Sequence, residues 1–137
     1  VHFRRVLMKP GKPFNFATAG SKLIFGLPGN PVSALVGFEL FVRSALGTLA
    51  GLKEVTRPKA LVTLAHDTPP TDRIEYQRAI VRVDTEGRLV ASTTGNQASS
   101  RLASLVGINA LLVIPPRDEW YRAGERVEAL LLGAPAT

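Results

Sequence analysis

The segment at residues 26–33, Gly-Leu-Pro-Gly-Asn-Pro-Val-Ser, limits the fold of this chain more than any other feature of the sequence. The apolar run at residues 22–25 predicts a strand that ends where this segment begins. Asn30 is a favourable helix N-cap, and Pro31 suits the first helical position because its missing N–H has no intrahelical partner. Apolar residues recur at helical spacing as far as Leu49 and form more than one stripe. The sequence therefore predicts a strand, a turn and a helix that is buried on most sides.

The second half of the chain has a different pattern of apolar residues. Five runs of β-branched and alternating residues predict strands at residues 60–65, 74–84, 89–94, 110–114 and 126–132. Because side chains alternate along a strand, one face of the second run would carry Ile74, Tyr76, Arg78 and Ile80. Residues 99–105 predict one short helix among the strands. A small all-β module is therefore predicted, and the polar residues 53–58 mark the boundary before it.

Charge and composition narrow the range of ligands. The 137 residues include 17 Lys and Arg against 11 Asp and Glu, with a pI near 10.3, so the chain should attract phosphates, oxyanions or nucleic acid. The sequence has no cysteine, which excludes disulfides and zinc thiolate sites. Its two histidines, His2 and His66, stand apart from other ligand types, so no transition-metal site is expected.

The apolar stretch at residues 32–49 bears on the location of the protein. Polar and charged residues interrupt it, which favours a core helix over a membrane span. No basic segment leads into an apolar core and a cleavage site, so no signal peptide is expected. We therefore expect a cytoplasmic protein with no membrane partner. The chain opens on Val1 without an initiator methionine, and we expect it to be a fragment.

Residues 26–33 also suit an anion. Unpaired N–H groups and the positive end of the dipole at a helix start attract negative charge. Gly29 would let a ligand approach the backbone closely. A well-capped helix start without a ligand accounts for the same residues equally well.

A second loop is basic and rigid. The extended run at residues 5–8 ends at residues 9–13, Lys-Pro-Gly-Lys-Pro, where two prolines and a glycine prevent a strand or helix from continuing. Lys9 and Lys12, held near one another, suit a multiply charged oxyanion, and a solvated basic loop is the alternative. Both loops follow strands, and ligands of open α/β sheets bind beyond the carboxyl ends of strands, which favours binding.

Arg78 and Ser99 are the candidates in the β module. Arg78 would lie among apolar neighbours, where a guanidinium needs an anion or a carboxylate such as Asp72 or Glu75. Residues 93–101 are rich in hydroxyl and amide donors, and Ser99 or Ser100 would cap the short helix. A purely structural turn has the same composition. The sequence contains no Ser/His/Asp arrangement, Walker loop or dinucleotide fingerprint.

Taken together, these segments resemble the molybdopterin molybdenumtransferases, a family that includes the E domain of gephyrin and of plant molybdenum-insertion proteins. The resemblance rests on residues 8–13, 25–33, 94–97 with Ser99, 109–115 and 123–127, in this order along nearly the whole chain. It implies an α/β fragment at residues 1–51, the end of a molybdopterin-binding domain. A linker at residues 52–58 and a small all-β, barrel-like carboxy-terminal domain at residues 59–137 would follow.

The resemblance also implies a function. Members of the family take molybdate and adenylylated molybdopterin, hydrolyse the adenylate with magnesium (Mg2+), and release molybdenum cofactor and AMP. This implies an enzyme with small-molecule substrates, a homodimer in the full-length protein, and an upstream molybdopterin adenylyltransferase as a partner.

Site residues are carried over by their positions in the family motifs. The molybdate pocket would be lined by Lys9, Lys12, Pro13, Arg78 and Ser99, with Lys9 and Lys12 catalytic. Pterin or phosphate would be held by Pro28, Gly29, Asn30, Pro31 and Ser33. Ammonium, guanidinium, hydroxyl and backbone donors are the groups that bind a dianion such as molybdate. The family's acidic magnesium ligands precede Val1, so the resemblance places no metal ligand in this chain and implies that the isolated fragment is inactive.

Two other functions fit part of the sequence. A non-catalytic scaffold or docking domain of the same family is the first, although docking alone does not require the anion-binding residues. A basic β module that binds RNA is the second. It is the weaker alternative, because aromatic residues make up only 7% of the chain and do not interleave with the basic residues. We therefore expect no nucleic-acid partner.

Overall fold

A computed structural model describes residues 1–93 and 107–137 of the chain. The chain divides into two compact units, Val1–Thr56 and Arg57–Thr137, which we call unit 1 and unit 2. The helix predicted at residues 99–105 and the candidate Ser99 lie outside the described residues.

Unit 1 contains three strands, β1 (Met8–Lys9), β2 (Asn15–Ala19) and β3 (Lys22–Gly26). β2 and β3 form an antiparallel hairpin in which Asn15 lies opposite Gly26. The strand predicted at residues 22–25 is confirmed, whereas the run at residues 5–8 contributes only its last residue to β1. The sequence does not predict β2, because Phe16 is its only large apolar side chain and the apolar–polar alternation is weak.

The predicted helix start is confirmed. Asn30 is the N-cap, its Oδ1 accepts a hydrogen bond from the Val32 N–H at 3.1 Å, and Pro31 occupies the first helical position. The helical stretch then continues as α1 (Pro31–Gly37), one π-helical turn (Phe38–Val42) and α2 (Arg43–Leu49).

The prediction that this helix is buried on most sides is wrong. Leu46 and Leu49 are 53% and 71% exposed, and most other residues beyond the first turns are only half-buried. A two-stranded hairpin is too small to enclose a helix, so the rest of unit 1 covers one side of it. By length and apolar composition, Pro31–Leu49 also meets the requirement for a membrane span, a test that core helices of soluble proteins pass as well.

Five aromatic side chains, which we call the phenylalanine cluster, hold the helix on the hairpin; they are Phe3, Phe14, Phe16, Phe25 and Phe41. Phe14 is fully buried, and its ring stacks on Phe41 with 4.5 Å between centroids. Gly37 permits this approach, since a Cβ at that position would lie only 3.0 Å from the Phe14 ring. The cluster is thus an apolar contact between the helix and the rest of unit 1.

Unit 2 is a closed barrel of five strands, β4 (Lys59–Leu64), β5 (Ile74–Val83), β6 (Leu89–Thr93), β7 (Ala110–Ile114) and β8 (Arg126–Leu131). All five predicted strands are confirmed, with ends that differ by at most one residue. Their hydrogen-bonded order is β5-β6-β4-β8-β7, and β7 pairs back with β5 to close the barrel. The predicted fold class, an α/β segment followed by a small all-β barrel, is confirmed.

The barrel interior is filled mainly by aliphatic side chains, together with Tyr121. The alternation predicted for β5 is confirmed, because Ala79 and Val81 belong to the buried core cluster while Arg78 lies on the opposite face. Asn109, just before β7, ties this core to the end of the chain. Its Oδ1 accepts from the Val81 N–H at 2.7 Å, and its Nδ2 donates to the carbonyls of Val81 at 2.9 Å and Ala134 at 3.2 Å.

Candidate anion-binding site

The structure brings the two candidate loops of unit 1 together. Gly11, in the basic loop at residues 9–13, is buried with φ of 102°. A Cβ at Gly11 would lie 2.7 Å from Met8 Cε and 3.9 Å from the Ser33 carbonyl oxygen. The basic loop therefore rests against the first turn of α1, and only glycine combines this conformation with this approach. The sequence placed both loops after strands but did not predict their contact.

Backbone hydrogen bonds fix the basic loop while leaving Lys12 in solvent. The Lys12 carbonyl accepts from the Val6 N–H at 2.9 Å, and the Gly11 carbonyl accepts from the Phe14 N–H at 3.0 Å. The Lys9–Pro10 peptide bond is cis. Lys9 is half-buried, whereas Lys12 and Pro13 are exposed. An ammonium group on a fixed backbone is thus available to an anion next to the helix start.

The start of α1 retains a free backbone donor. Asn30 Oδ1 takes the Val32 N–H, the Asn30 carbonyl takes the Ala34 N–H at 2.8 Å, and Pro31 has no N–H. The Ser33 N–H has no acceptor among the described residues, as expected in the first turn of a helix. Ser33 itself is only 7% exposed. Pro28 and Asn30 are half-buried, and Pro31 and Gly29 are exposed, so the loop presents its backbone to solvent.

The net positive charge of the chain is concentrated in unit 1. This unit contains seven Lys and Arg against two Glu, whereas unit 2 contains ten basic against nine acidic residues. The formal net charges are therefore +5 and +1, which together give the +6 of the whole chain. Five of the seven basic residues precede β3 or begin it. Counting charge by segment would have revealed this asymmetry from the sequence.

Arg78 lies in unit 2, on the outer face of β5, and is only 1% exposed. It pairs in register with the fully buried Leu111 of β7. Burial lowers the pKa of its guanidinium, since removal from water disfavours the charged form. Arg78 has an interaction partner in the structure. Glu75, an alternative partner considered from the sequence, alternates to the other face, where its carboxylate accepts from Gln77 Nε2 at 2.9 Å.

A magnesium site is not formed by the residues that the structure describes. Within residues 1–93 and 107–137, no three His, Cys, Asp or Glu side chains group closely enough to hold a metal ion. Several carboxylates of unit 2 instead form ion pairs, such as Arg117–Glu125 and Arg122–Asp67. The donors in this part of the chain therefore do not fit a divalent cation.

The loop between β7 and β8 contains an ion-pair cluster that the sequence did not predict. Arg117 donates to both Glu125 carboxylate oxygens, at 3.1 and 2.9 Å, and its guanidinium lies 3.6 Å from the centroid of the Tyr121 ring. Tyr121 donates its hydroxyl to the Pro115 carbonyl. Beside this cluster, the barrel surface bears a groove of about 470 Å³ whose lining includes Leu61, Val113, Pro115, Pro116 and Tyr121.

Acid is expected to weaken unit 2 through Glu125. The hydrogen bonds from Arg117 and the Arg122 N–H lower the pKa of this carboxyl group. A carboxyl group whose pKa is depressed on folding stabilises the folded state above its unfolded pKa of about 4.3, and this contribution is lost as the pH falls through the folded pKa. The Tm of unit 2, followed by Trp120 fluorescence, should therefore decrease when the pH is lowered below about 4. In the Glu125→Gln variant the Tm should depend less on pH. Glu54→Gln, at an exposed position in unit 1, is the control and should leave the profile unchanged.

Two family descriptions match the chain. Residues 62–132 match the MoeA C-terminal region (domain IV), and residues 1–48 match a probable molybdopterin binding domain. The first match covers more than half of the chain and spans most of the closed barrel. This chain therefore belongs to the MoeA C-terminal region family.

Individual relatives extend the likeness over nearly all of the chain. It is 44% identical to the molybdenum cofactor synthesis protein cinnamon of Drosophila melanogaster, over 96% of this chain and 23% of that protein. It is 36% identical to the molybdopterin molybdenumtransferase of Bacillus subtilis, over 96% of this chain and 31% of that enzyme. A solved structure of a molybdenum cofactor biosynthesis protein from Pyrococcus furiosus aligns with a TM-score of 0.71 and 32% identity, over 94% of this chain and 44% of that one. The family resemblance inferred from the motifs is confirmed, and the chain spans about a quarter to a third of the curated relatives.

Proposed function

We propose that this chain supplies an oxyanion-binding part of a molybdopterin molybdenumtransferase, which inserts molybdate into adenylylated molybdopterin and releases AMP. The observation that carries the proposal is the contact between the basic loop and the first turn of α1. It puts the basic loop beside a helix start with an open Ser33 N–H, in the unit that carries most of the net positive charge.

The chemistry of molybdate matches these donors. Molybdate is a dianion, and ammonium groups together with unpaired backbone N–H groups bind such ions through charge-assisted hydrogen bonds. In this proposal Lys9, Lys12 and Pro13 position the oxyanion, with the two ammonium groups offsetting its charge. Residues 28–33 take the pterin or phosphate of the second substrate, since glycine and proline leave the backbone open there. Adjacent binding of the two substrates brings molybdate close to the group that receives the metal.

Magnesium belongs to the proposed reaction, and the residues that the structure describes do not provide its ligands. A homodimer, an upstream molybdopterin adenylyltransferase as partner and a cytoplasmic location also belong to the proposal. They rest on the resemblance to the relatives. Arg78, in unit 2, is a separate candidate for oxyanion binding because a buried guanidinium recognises oxyanions well.

The proposal is tested by calorimetric titration of molybdate into the chain, with sulfate as competitor. Saturable binding is expected, and Lys12→Ala should weaken it roughly tenfold, because a hydrogen bond to a charged group is worth about 1.5–3 kcal/mol. Lys53→Ala, at another exposed lysine of unit 1, is the matched control and should bind normally.

Arg78 is tested in the same titration with its own control. Arg82 lies on the same face of β5 but is exposed, so Arg78→Ala should weaken molybdate binding while Arg82→Ala should not. No saturable binding by the unsubstituted chain, or binding indifferent to Lys12→Ala, would contradict the proposed site in unit 1.

Gly29→Ala separates folding from ligand binding at the helix start. A Cβ at Gly29 meets no atom within 4 Å, and the residue does not adopt a positive φ. Stability should therefore change by no more than about 0.5 kcal/mol. Binding of a phosphate ligand such as AMP should weaken roughly tenfold, because the added methyl group occupies the space of the ligand. Gly133→Ala, where an added Cβ would make only an ordinary contact with Asn109 Cβ at 4.0 Å, is the control. Equal AMP affinities for the two variants would contradict the assignment of residues 28–33 to the site.

A docking role is the second candidate function, favoured by the groove on the barrel surface beside Pro115 and Tyr121. Docking there would not depend on the loops of unit 1. A chain that binds no molybdate but retains a folded barrel would favour this candidate over the transferase.

A further inference from the structure

Asn15 occupies the point where the two loops of unit 1 leave the hairpin. It is the first residue of β2 and lies opposite Gly26, the last residue of β3. The basic loop ends just before Asn15, and the turn toward α1 starts at Gly26. A side chain at this position can therefore touch both loops.

The Asn15 amide fills the space above Gly26. An ideal Cβ at Gly26 would lie 2.2 Å from Asn15 Oδ1 and 2.6 Å from both Cγ and Nδ2. Gly26 has no positive φ, so its lack of a side chain is explained by this contact and not by backbone conformation. The same amide donates from Nδ2 to the Pro13 carbonyl at 3.4 Å, a long hydrogen bond.

This hydrogen bond engages a carbonyl of the basic loop that the backbone hydrogen bonds leave open. Backbone bonds already engage the carbonyls of Gly11 and Lys12. Among the described residues, the Asn15 amide is the donor to the Pro13 carbonyl. Loss of that contact would remove a restraint on the Pro13–Phe14 peptide, which follows Lys12 directly, relative to the turn at Gly26.

We infer that Asn15 is a positioning residue, whose amide sets the separation between the basic loop and the turn that leads to α1. The inference rests on the proposed function, because the loops must bind an anion for their separation to matter. Asn15 acts through Lys12 and needs no contact with the ligand. A purely structural role in the hairpin would change stability but would not couple to Lys12.

The test is a double-substitution cycle in the 137-residue chain, with molybdate as the probe. Asn15→Leu keeps the branching and approximate volume of the side chain above Gly26 and removes its hydrogen-bonding groups. It should weaken molybdate binding about fivefold in the otherwise unsubstituted chain, within the range of couplings between neighbouring residues. In the Lys12→Ala background the same substitution should cause no further loss. Thermal unfolding shows whether each variant is folded, and Asn15→Ala provides a second variant if Leu disturbs the hairpin.

The outcomes separate the two claims. Saturable binding that Asn15→Leu leaves unchanged, or that Asn15→Leu and Lys12→Ala weaken by independent factors, would overturn the positioning role alone. Absence of saturable binding by the unsubstituted chain would overturn the proposed function and the positioning role with it. Non-additive losses in folded variants support the inference.

Discussion

Phe14→Ala is expected to lower the free energy of unfolding of unit 1 by about 3–5 kcal/mol. Phe14 is fully buried at the centre of the phenylalanine cluster, where it stacks on Phe41 and meets Gly37. Truncation removes the transfer energy of the ring and leaves a cavity between hairpin and helix, because neighbouring rings cannot move far enough to fill it.

Two optical probes can assign this loss to one unit. The helices among the described residues lie in unit 1, whereas Trp120, the single tryptophan, lies in unit 2. Urea unfolding followed by far-ultraviolet circular dichroism should therefore show an earlier transition in the Phe14 variant. Phe38→Ala is the matched control, since Phe38 is exposed and outside the cluster. Equal losses in the two variants would mean that the cluster does not hold the helix in place.

Asn109→Leu is expected to destabilise unit 2 by about 2–4 kcal/mol. The substitution removes three side-chain hydrogen bonds. The buried Val81 N–H loses its Asn109 acceptor, whereas the Val81 carbonyl keeps the Ala136 N–H at 2.9 Å as a donor. Unsatisfied backbone groups at a buried position are costly because water cannot replace the lost contacts.

Trp120 fluorescence during urea unfolding measures this effect. Asn109→Asp serves as the comparison, because a carboxylate keeps the acceptor for the Val81 N–H and loses both donors. Its loss of stability should be smaller than that of Asn109→Leu at a pH where the carboxyl group is protonated, since a protonated oxygen can donate again. If Asn109→Leu unfolded at the same urea concentration as the unsubstituted chain, the hydrogen bonds of Asn109 would contribute nothing to the stability of the barrel.

The strands of unit 2 were predictable because each one carries its own alternation of apolar residues. Their order was not, since the parallel contact of β4 with β6 and the closure of β7 onto β5 depend on residues far apart in sequence. β2 was not predicted from the sequence because it has a single large apolar side chain and therefore no clear alternation. Asn109 was visible only as part of a family motif, because nothing local distinguishes a bridging asparagine from one in a turn.

The candidate site was predictable in its parts and not in its assembly. The capping role of Asn30 follows from local chemistry, and the structure confirms it. The face of Arg78 follows from strand period. The contact of Gly11 with the helix start depends on tertiary packing, which no local pattern encodes. The roles of Lys9, Lys12, Arg78 and the residues 28–33 in binding stay predictions, and Ser99 lies outside the described residues.

The uneven division of charge has a consequence for kinetics. A dianion diffusing near this chain experiences an attractive potential mainly from unit 1, with its net charge of +5, while unit 2 is nearly neutral. Such a field raises the encounter rate before any contact forms and is screened over about 8 Å at physiological salt. Added salt would thus slow the capture of an anion more than it would hasten its release, so that ionic strength acts chiefly on arrival at the loops.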